Sequence, residues 1–299
     1  MKDHKAKKAY AEHWVPRGRR RIYAREYEGK DPAIVLMHGF PDILHLYDRL
    51  VGHLSGRRVV LFDFLGWGNS DKPVGYPYTA DNQTRDLNAI IEHLGLESVV
   101  PFAHDASGPP AIDWALAHPE RVSALVLLNT YYHRMKILRF PAAIFLYSTP
   151  ILRNVARMVI GRSDYLGRKL YVRQIGRFIR DEEVRNRIVP QLYSQFREAR
   201  PAFSALNEDL LRTNLLRRKM VPKMKTFGRP VRIVFGADDP NLNVGVARMF
   251  HELFPTSELF LLDGARHYVQ VDEPEEVARL ILSAPLAQTT VPGSSVAVT

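Results

Sequence analysis

The sequence predicts an α/β fold: a mostly parallel sheet covered by helices on both faces. Continuous apolar runs alternate with segments of helical period through the first 131 residues, and the alternation resumes after residue 230. Such runs are typical of parallel strands buried on both faces. With 299 residues, 46% of them hydrophobic, the chain can bury a large core, either as one domain with an insertion or as two domains.

The elements of the first part follow from turn signals and periodicity. Apolar runs predict strands at 20–29, 33–40, 59–64, 99–105 and 124–130. Apolar residues at helical spacing, with a Gly after the last of them, predict a helix over 79–95, and a second helix is expected from about 107 to 118. The unit between 99 and 130 is therefore strand, helix, strand.

The pattern changes between residues 132 and 229. Strand-like runs are lacking there, and Arg-rich amphipathic stretches such as 153–161 and 182–200 predict helices. Alternation then returns, with strands expected at 231–236 and 258–264 and helices at 244–254 and 274–283. We expect a core formed by 1–131 and 230–285, a helical insertion over 132–229, and a disordered tail over 286–299.

The net charge of +10 is concentrated in the insertion. Residues 133–229 hold 22 Lys and Arg against 7 Asp and Glu, whereas the remainder holds 20 against 25. A solvated Arg-rich helical face is the favoured interpretation. Contact with a membrane surface through these residues is a weaker alternative. Nucleic-acid binding is not expected, because no nucleic-acid-binding motif accompanies the charge.

The chain has no cysteine, which excludes disulfides and thiolate catalysis. The N-terminal residues are polar and basic and lack the apolar centre of a signal peptide. The most apolar stretch, 137–152, is interrupted by Arg and Pro and is too short to span a bilayer. We expect a cytoplasmic protein.

Reactive side chains follow several predicted strands. These segments are HGFPD (38–42), AHDASG (103–108), GADDP (236–240) and, after one further strand, RHYVQVDEP (266–274). Ligands of open α/β sheets bind beyond the carboxyl ends of the strands. We therefore expect the four segments to meet at one site.

AHDASG fits a nucleophile elbow, the sharp strand-to-helix turn that needs small residues two before and two after the nucleophile. Around Asp105 these positions hold Ala103 and Ser107, whereas around Ser107 they hold Asp105 and Pro109. Asp105 is therefore the better centre. A carboxylate can displace a leaving group from a saturated carbon, and water can hydrolyse the resulting ester.

In order and spacing, HGFPD, DFLGWGNSDKP, AHDASG, GADDP and RHYVQVDEPEEVA resemble the α/β-hydrolase superfamily, and HGFPD with an elbow Asp resembles its epoxide hydrolase and haloalkane dehalogenase branch. The resemblance covers nearly the whole chain outside the tail and is weaker in the insertion. It implies an eight-stranded, mostly parallel sheet with a helical cap.

The remaining site residues follow from this resemblance. His267 is expected to activate water, and Asp239 to orient and charge-stabilise its imidazole, with Asp238 as the rival. The backbone N–H groups of Phe40 and Ala106 are expected to form the oxyanion hole.

Some side chains near these motifs are expected to be structural. His38 is expected to support the oxyanion turn. Ser107 and His104 are expected to be packing residues.

The sequence departs from both enzyme classes of this branch at the residues that assist departure of the leaving group. Glu208 and Asp209 stand where epoxide hydrolases are expected to have a second cap tyrosine, although Tyr147, Tyr165, Tyr171 and Tyr193 lie in the insertion. Dehalogenases commonly have a Trp after the nucleophile and, in many members, an Asn after HisGly, whereas this chain has Ala106 and Phe40.

An epoxide hydrolase-like enzyme is the first hypothesis. The alternatives are a haloalkane dehalogenase-like hydrolase and a non-catalytic or regulatory homologue. The expected partners are a small, largely apolar organic substrate and water, with no cofactor and no metal. The chain is expected to be a monomer or a homodimer.

Overall fold

A computed structural model describes residues 10–133, 137 and 141–289 of the chain. Within these residues eight strands form one sheet in the order β1-β2-β4-β3-β5-β6-β7-β8. The strands are β1 Ala11–Arg17, β2 Arg20–Tyr27, β3 Lys30–Met37, β4 Arg57–Phe62, β5 Val99–Asp105, β6 Leu125–Thr130, β7 Val231–Gly236 and β8 Ser257–Leu262. Only the pairings of β2 with β1 and β4 are antiparallel, which confirms the mostly parallel α/β fold.

Helices cover both faces of the sheet. The described residues hold α1 Asp48–Val51, α2 Ala80–His93, α3 Gly108–Ala117, α4 Ala142–Ser148, α5 Pro150–Arg162, α6 Asp164–Ile175, α7 Glu182–Leu216, α8 Val221–Lys225, α9 Val244–Leu253, α10 Val269–Asp272 and α11 Pro274–Leu282. Val35 of β3 packs in one apolar cluster and its neighbours Ile34 and Leu36 in another. Successive strand residues point to opposite faces, so the two clusters are the two sides of the sheet.

The first cluster contains residues of α2, α3 and α9, and the second contains residues of α1 and α11. The four central strands β3, β5, β6 and β7 are adjacent and parallel. Their carboxyl ends therefore open on one edge of the sheet. The segments that follow these strands begin there, and they carry most of the predicted site residues.

Helices α4 to α8 lie between β6 and β7 in the chain. The long helix α7 continues through Pro190 and Pro201, and its Phe203 packs edge-to-face on Phe40, with ring centroids 5.8 Å apart. No helix among the described residues combines the length and apolar character that a bilayer span requires.

The last described segment, 285–289, has no regular secondary structure. The N–H of Ala287 donates to the carbonyl of Ser123, and the Arg229 guanidinium donates to the carbonyl of Gln288. The predicted disordered tail begins at 286, and its residues 290–299 lie outside the described residues.

Candidate active site

Asp105 ends β5 at a strained turn. Its φ of 51° lies in the left-handed region, which costs free energy for a residue other than Gly. Helix α3 begins three residues later at Gly108, where a Cβ would lie 1.9 Å from Oγ1 of Thr130. Position 108, directly after the small Ser107, must therefore also lack a side chain, because the next strand occupies that space.

Ser107 faces the scaffold. Its side chain is fully buried, and its hydroxyl is shared between the carbonyls of Met37 and His104, each at 2.8 Å. The same oxygen accepts the N–H of His104 at 2.9 Å. These bonds tie the elbow to the end of β3.

Two backbone donors converge on the Asp105 carboxylate. The N–H of Phe40 donates to Oδ2 at 3.2 Å, and the N–H of Ala106 also donates to the carboxylate. Gly39 permits this close approach, because a Cβ at that position would lie 2.5 Å from the Cβ of Asp105. The pair has the form of an oxyanion hole around Oδ2.

His267 lies between two carboxylates. Its Nδ1 is 2.6 Å from Oδ2 of Asp239, and its Nε2 is 3.9 Å from Oδ1 of Asp105. Asp239 is buried, whereas the neighbouring Asp238 is exposed. The structure therefore brings Asp105, His267 and Asp239 together in one line of contacts.

Asp239 is surrounded by donors. Its Oδ1 accepts the N–H groups of Asn241 and Leu242 at 2.8 and 3.0 Å, and its Oδ2 accepts the side-chain amide of Asn129 at 2.8 Å. Burial opposes ionisation of this carboxyl, but the charge and hydrogen bond of His267 and these other donors lower its pKa overall. Asp239 is therefore an ionised partner for His267.

The pKa of His267 is shifted upward. Burial alone would lower it, but the charge and hydrogen bond of Asp239 and the charges of Asp105 and Asp42 raise it to about 9. Burial also raises the pKa of Asp105, and this effect is opposed by the His267 charge and by the two backbone donors. At neutral pH the resting site therefore holds an imidazolium against the Asp239 carboxylate.

His38 supports the turn that carries Phe40. Its Nδ1 lies 2.6 Å from the carbonyl of Gly39, and its Nε2 accepts the N–H of Phe64 at 3.2 Å. Burial lowers the pKa of His38, more than the nearby charge of Asp63 raises it. A neutral ring with one donor and one acceptor satisfies both contacts.

His104 packs against the catalytic candidate. Its ring centroid is 4.8 Å from that of His267, and its Nε2 is 3.0 Å from the His267 carbonyl. Burial and the charge of His267 both lower the pKa of His104. A neutral His104 can therefore brace the backbone of His267.

A narrow cavity with a free volume of about 10 Å³ adjoins the elbow. Phe40, Ala106 and Tyr131 line it next to Asp105, and α2 and α7 close its other side. Burial and the charge of Asp105 raise the pKa of Tyr131 well above its ordinary value. Tyr131 is therefore a neutral hydroxyl beside the nucleophile candidate.

The four tyrosines of the insertion differ in position. Tyr171 is buried, and its hydroxyl donates to the carbonyl of Pro41 at 3.3 Å. Tyr147 packs on Phe203, Tyr193 donates to Asp164, and Tyr165 is 77% exposed.

Glu208 is exposed and lies 3.6 Å from Arg153. It does not line the cavity beside Asp105. Asp209 lies next to it in α7.

Three groups near this site were not predicted from the sequence to have a role in it. Tyr131 and Asn129 lie at the carboxyl end of β6. Because β6 pairs with β5 and β7, which carry Asp105 and Asp239 at their ends, this position could have indicated that both residues lie near the site. Asp42 closes the HGFPD motif, and its buried carboxylate accepts the hydroxyl of Tyr268. Burial and the charge of Asp105 raise the pKa of Asp42 to about 7, although the hydrogen bond from Tyr268 lowers it in part.

Among the described residues no three His, Asp or Glu side chains are grouped as metal ligands.

Comparison with known proteins agrees with this geometry. The family model for the alpha/beta hydrolase fold matches residues 32–274. Haloalkane dehalogenase 2 of Mycobacterium tuberculosis is 28% identical over 280 residues, which cover 90% of this chain and 93% of that protein. A cis-3-alkyl-4-alkyloxetan-2-one decarboxylase of Xanthomonas campestris is 27% identical over 284 residues, covering 85% and 88%.

Among solved structures, the 2-hydroxy-6-oxo-6-phenylhexa-2,4-dienoate hydrolase of Rhodococcus superposes with a TM-score of 0.76 at 18% identity, over 92% of this chain and 98% of that one. This likeness concerns the fold alone. The resemblance inferred from the five motifs is confirmed by the family match and by the dehalogenase relative.

Proposed function

Because the chain belongs to the α/β-hydrolase fold family, we propose that it hydrolyses its substrate through an alkyl ester on Asp105, most like an epoxide hydrolase. The chain is a hydrolase. Our proposal concerns its nucleophile and its substrate. One observation carries it. A carboxylate stands at the strained elbow with Oδ2 bonded to the Phe40 N–H, while Oδ1 lies 3.9 Å from His267 Nε2.

In the first step, Oδ1 of Asp105 attacks a ring carbon of the epoxide. An O–C bond forms, the ring C–O bond breaks, and its electron pair leaves as an alkoxide. The alkoxide needs a proton, and we assign its donation to Tyr131, whose neutral hydroxyl lines the same cavity as Ala106. Tyr131 is left as a phenolate and regains a proton after the second step, from the water-derived hydroxyl on the Asp105 carboxyl.

In the second step, His267 takes a proton from water, and the hydroxide attacks Cγ of the Asp105 ester. The former Oδ2 becomes the oxyanion, already within reach of the Phe40 and Ala106 N–H groups. Collapse of this intermediate breaks the Cγ–Oδ1 bond, and the expelled alkoxide takes the proton from the His267 imidazolium. The diol leaves with the old Oδ1, and Asp105 keeps the oxygen of water.

Esterification itself prepares His267 for this role. Its pKa of about 9 depends in part on the charge of Asp105, and alkylation removes that charge. The pKa of His267 therefore falls once the ester forms. Because it then loses its proton more readily, the imidazole becomes a base after the first step, when one is needed.

A haloalkane dehalogenase activity is the second candidate, supported by the relative in Mycobacterium tuberculosis. A halide needs N–H donors, and the side chains of Phe40 and Ala106 supply none. An epoxide oxygen needs a proton donor, which the cavity contains in Tyr131. This difference favours the epoxide.

We also propose that residues 132–229 act as a cap over a core formed by 1–131 and 230–285. The contact of Phe203 with Phe40 supports this arrangement, because it joins α7 to the oxyanion turn. Substrate would then bind between cap and core. A small, largely apolar molecule suits the lining nearest Asp105.

The His267→Gln variant tests the chemistry. It should form the ester and fail to hydrolyse it. The intact mass should then rise by the mass of the whole epoxide after incubation with 1,2-epoxyoctane, and by that of the octyl group without bromide after incubation with 1-bromooctane. Peptide mapping should locate the adduct on Asp105, and Asp105→Asn in the same background should show none. An adduct on Ser107, or none with any epoxide, haloalkane or four-membered lactone, would refute the mechanism.

A further inference from the structure

A second cavity lies between helices α6 and α7. It has a free volume of about 310 Å³ and is bounded by the end of α6, the turn Gly176–Phe178 and the start of α7. Small-molecule sites in proteins typically have volumes of about 300–1,000 Å³. We call this cavity the arginine cleft, after Arg173, Arg177 and Arg185 in its wall.

Positive charge dominates the wall of the arginine cleft. The lining holds the three Arg side chains and no Asp or Glu. Arg185 lies 3.3 Å from the exposed Glu182, one turn earlier on α7. Among the described residues, no carboxylate forms an ion pair with Arg173 or Arg177. Three guanidiniums against one carboxylate leave two positive charges at the cleft.

The cleft also has an apolar part. Val172, Val189 and Pro190 lie in its wall beside the arginines. The stem of Arg185 packs closely on the turn, because a Cβ at Gly176 would lie 3.3 Å from its Cδ. The arginine cleft therefore combines cations with room for an apolar group.

We propose that the arginine cleft binds a phosphate monoester that carries an apolar organic group. Guanidinium groups form paired hydrogen bonds with phosphate oxygens. A phosphate monoester offers three terminal oxygens and a charge of about −1.5 to −2 at pH 7, which matches the two positive charges. A carboxylate offers only two oxygens and one negative charge. The organic group of the ester fits against Val172 and Val189.

The arginine cleft adjoins the candidate active site through one turn of the chain. Arg177 precedes Phe178, whose ring centroid is 4.5 Å from that of His267. The carbonyl of Phe178 also accepts the N–H of Tyr268 at 3.1 Å. Among the described residues, the cleft shares no lining residue with the cavity beside Asp105. The proposed binding site is therefore separate from the reaction proposed above.

Titration calorimetry with phenyl phosphate, at constant ionic strength, tests the site without turnover. Wild type should bind phenyl phosphate saturably and about tenfold or more tightly than benzoate. Arg173→Gln and Arg177→Gln should each weaken this binding by about tenfold. Arg187→Gln is the matched control, because Arg187 is an exposed Arg of α7 that does not line the cleft.

Three results would overturn the proposal. They are absence of saturable binding to wild type, equal affinity for benzoate, and equal weakening in Arg187→Gln. Because Arg173 and Arg177 are exposed, their variants should fold, and circular dichroism should match that of wild type. Asp105→Asn should bind phenyl phosphate with unchanged affinity, and a loss there would place the ligand in the candidate active site instead.

Vesicles distinguish two sources of the phosphate. Phosphatidic acid carries a phosphate monoester, so phosphatidylcholine vesicles that contain it should sediment with the protein if the natural ligand is a lipid. Phenyl phosphate and Arg177→Gln should then each reduce that binding, and vesicles of phosphatidylcholine alone are the control. Binding of phenyl phosphate without binding of either vesicle would identify a soluble ester as the ligand.

Discussion

The side-chain amide of Asn129 donates to Oδ2 of Asp239, the same oxygen that contacts Nδ1 of His267. Asn129 also accepts the N–H of Gly236 at 2.8 Å, and its φ of 24° lies in the left-handed region. The ends of β6 and β7 are thus fixed to each other beside the imidazole. Either strand end is close enough to bring a carboxylate toward His267.

Exchanging these two residues tests that relationship. Asp239→Asn should lower kcat/KM by roughly 100- to 10,000-fold, because the imidazolium loses its ionised partner. Adding Asn129→Asp restores a carboxylate about one hydrogen bond away, and activity should recover at least about tenfold. Steady-state kinetics on a turned-over substrate measures both. A double variant no better than Asp239→Asn would show that position 129 cannot reach His267.

The fold was predictable because strand periodicity and turn residues are local signals. The strand at 231–236 and the helix ending at 253 match the structure almost residue for residue. Strand β1 was missed, since most of its side chains are exposed and it lacks an apolar run. Pro101 lies in β5 without interrupting the ladder to β6, which begins only at Phe102.

The candidate site was predictable only where it follows strand ends. Asp105, Asp239 and His267 each come soon after an apolar run, and the topology of a parallel sheet brings such ends together. The part of the cavity lined by α2 and α7 carries no such signal, because it depends on how α7 packs over the core. That packing is a tertiary property of residues far apart in the chain.

Stability should depend on the protonation of His267. Its pKa of about 9 in the folded protein exceeds the ordinary value of 6.5. The stabilisation that protonated His267 gives the folded state is therefore complete below pH 6.5 and is lost as pH rises through 9. This pKa difference corresponds to about 3 kcal/mol of unfolding free energy. Denaturant unfolding at several pH values should show a steeper loss for wild type than for His267→Gln. Parallel pH profiles would contradict the raised pKa.

Gly39 should tolerate no side chain. In Gly39→Ala the new Cβ would lie 2.5 Å from the Cβ of Asp105, so the variant should lose about 1–3 kcal/mol of unfolding free energy and nearly all activity. Gly52→Ala is the control, because its Cβ would have only the Arg49 carbonyl nearby, at 3.6 Å. Urea unfolding and turnover measure the two effects. Wild-type activity in Gly39→Ala would show that the oxyanion turn is looser than described.

Tyr131 should matter for epoxides more than for halides. An alkoxide leaving group requires a proton and bromide does not, so Tyr131→Phe should lower kcat/KM for 1,2-epoxyoctane about 100-fold and for 1-bromooctane less than about tenfold. Tyr171→Phe is the matched control, since Tyr171 is equally buried but its hydroxyl already donates to Pro41. A larger loss of epoxide turnover in Tyr171→Phe than in Tyr131→Phe would show that the proton donor is Tyr171 of the insertion instead.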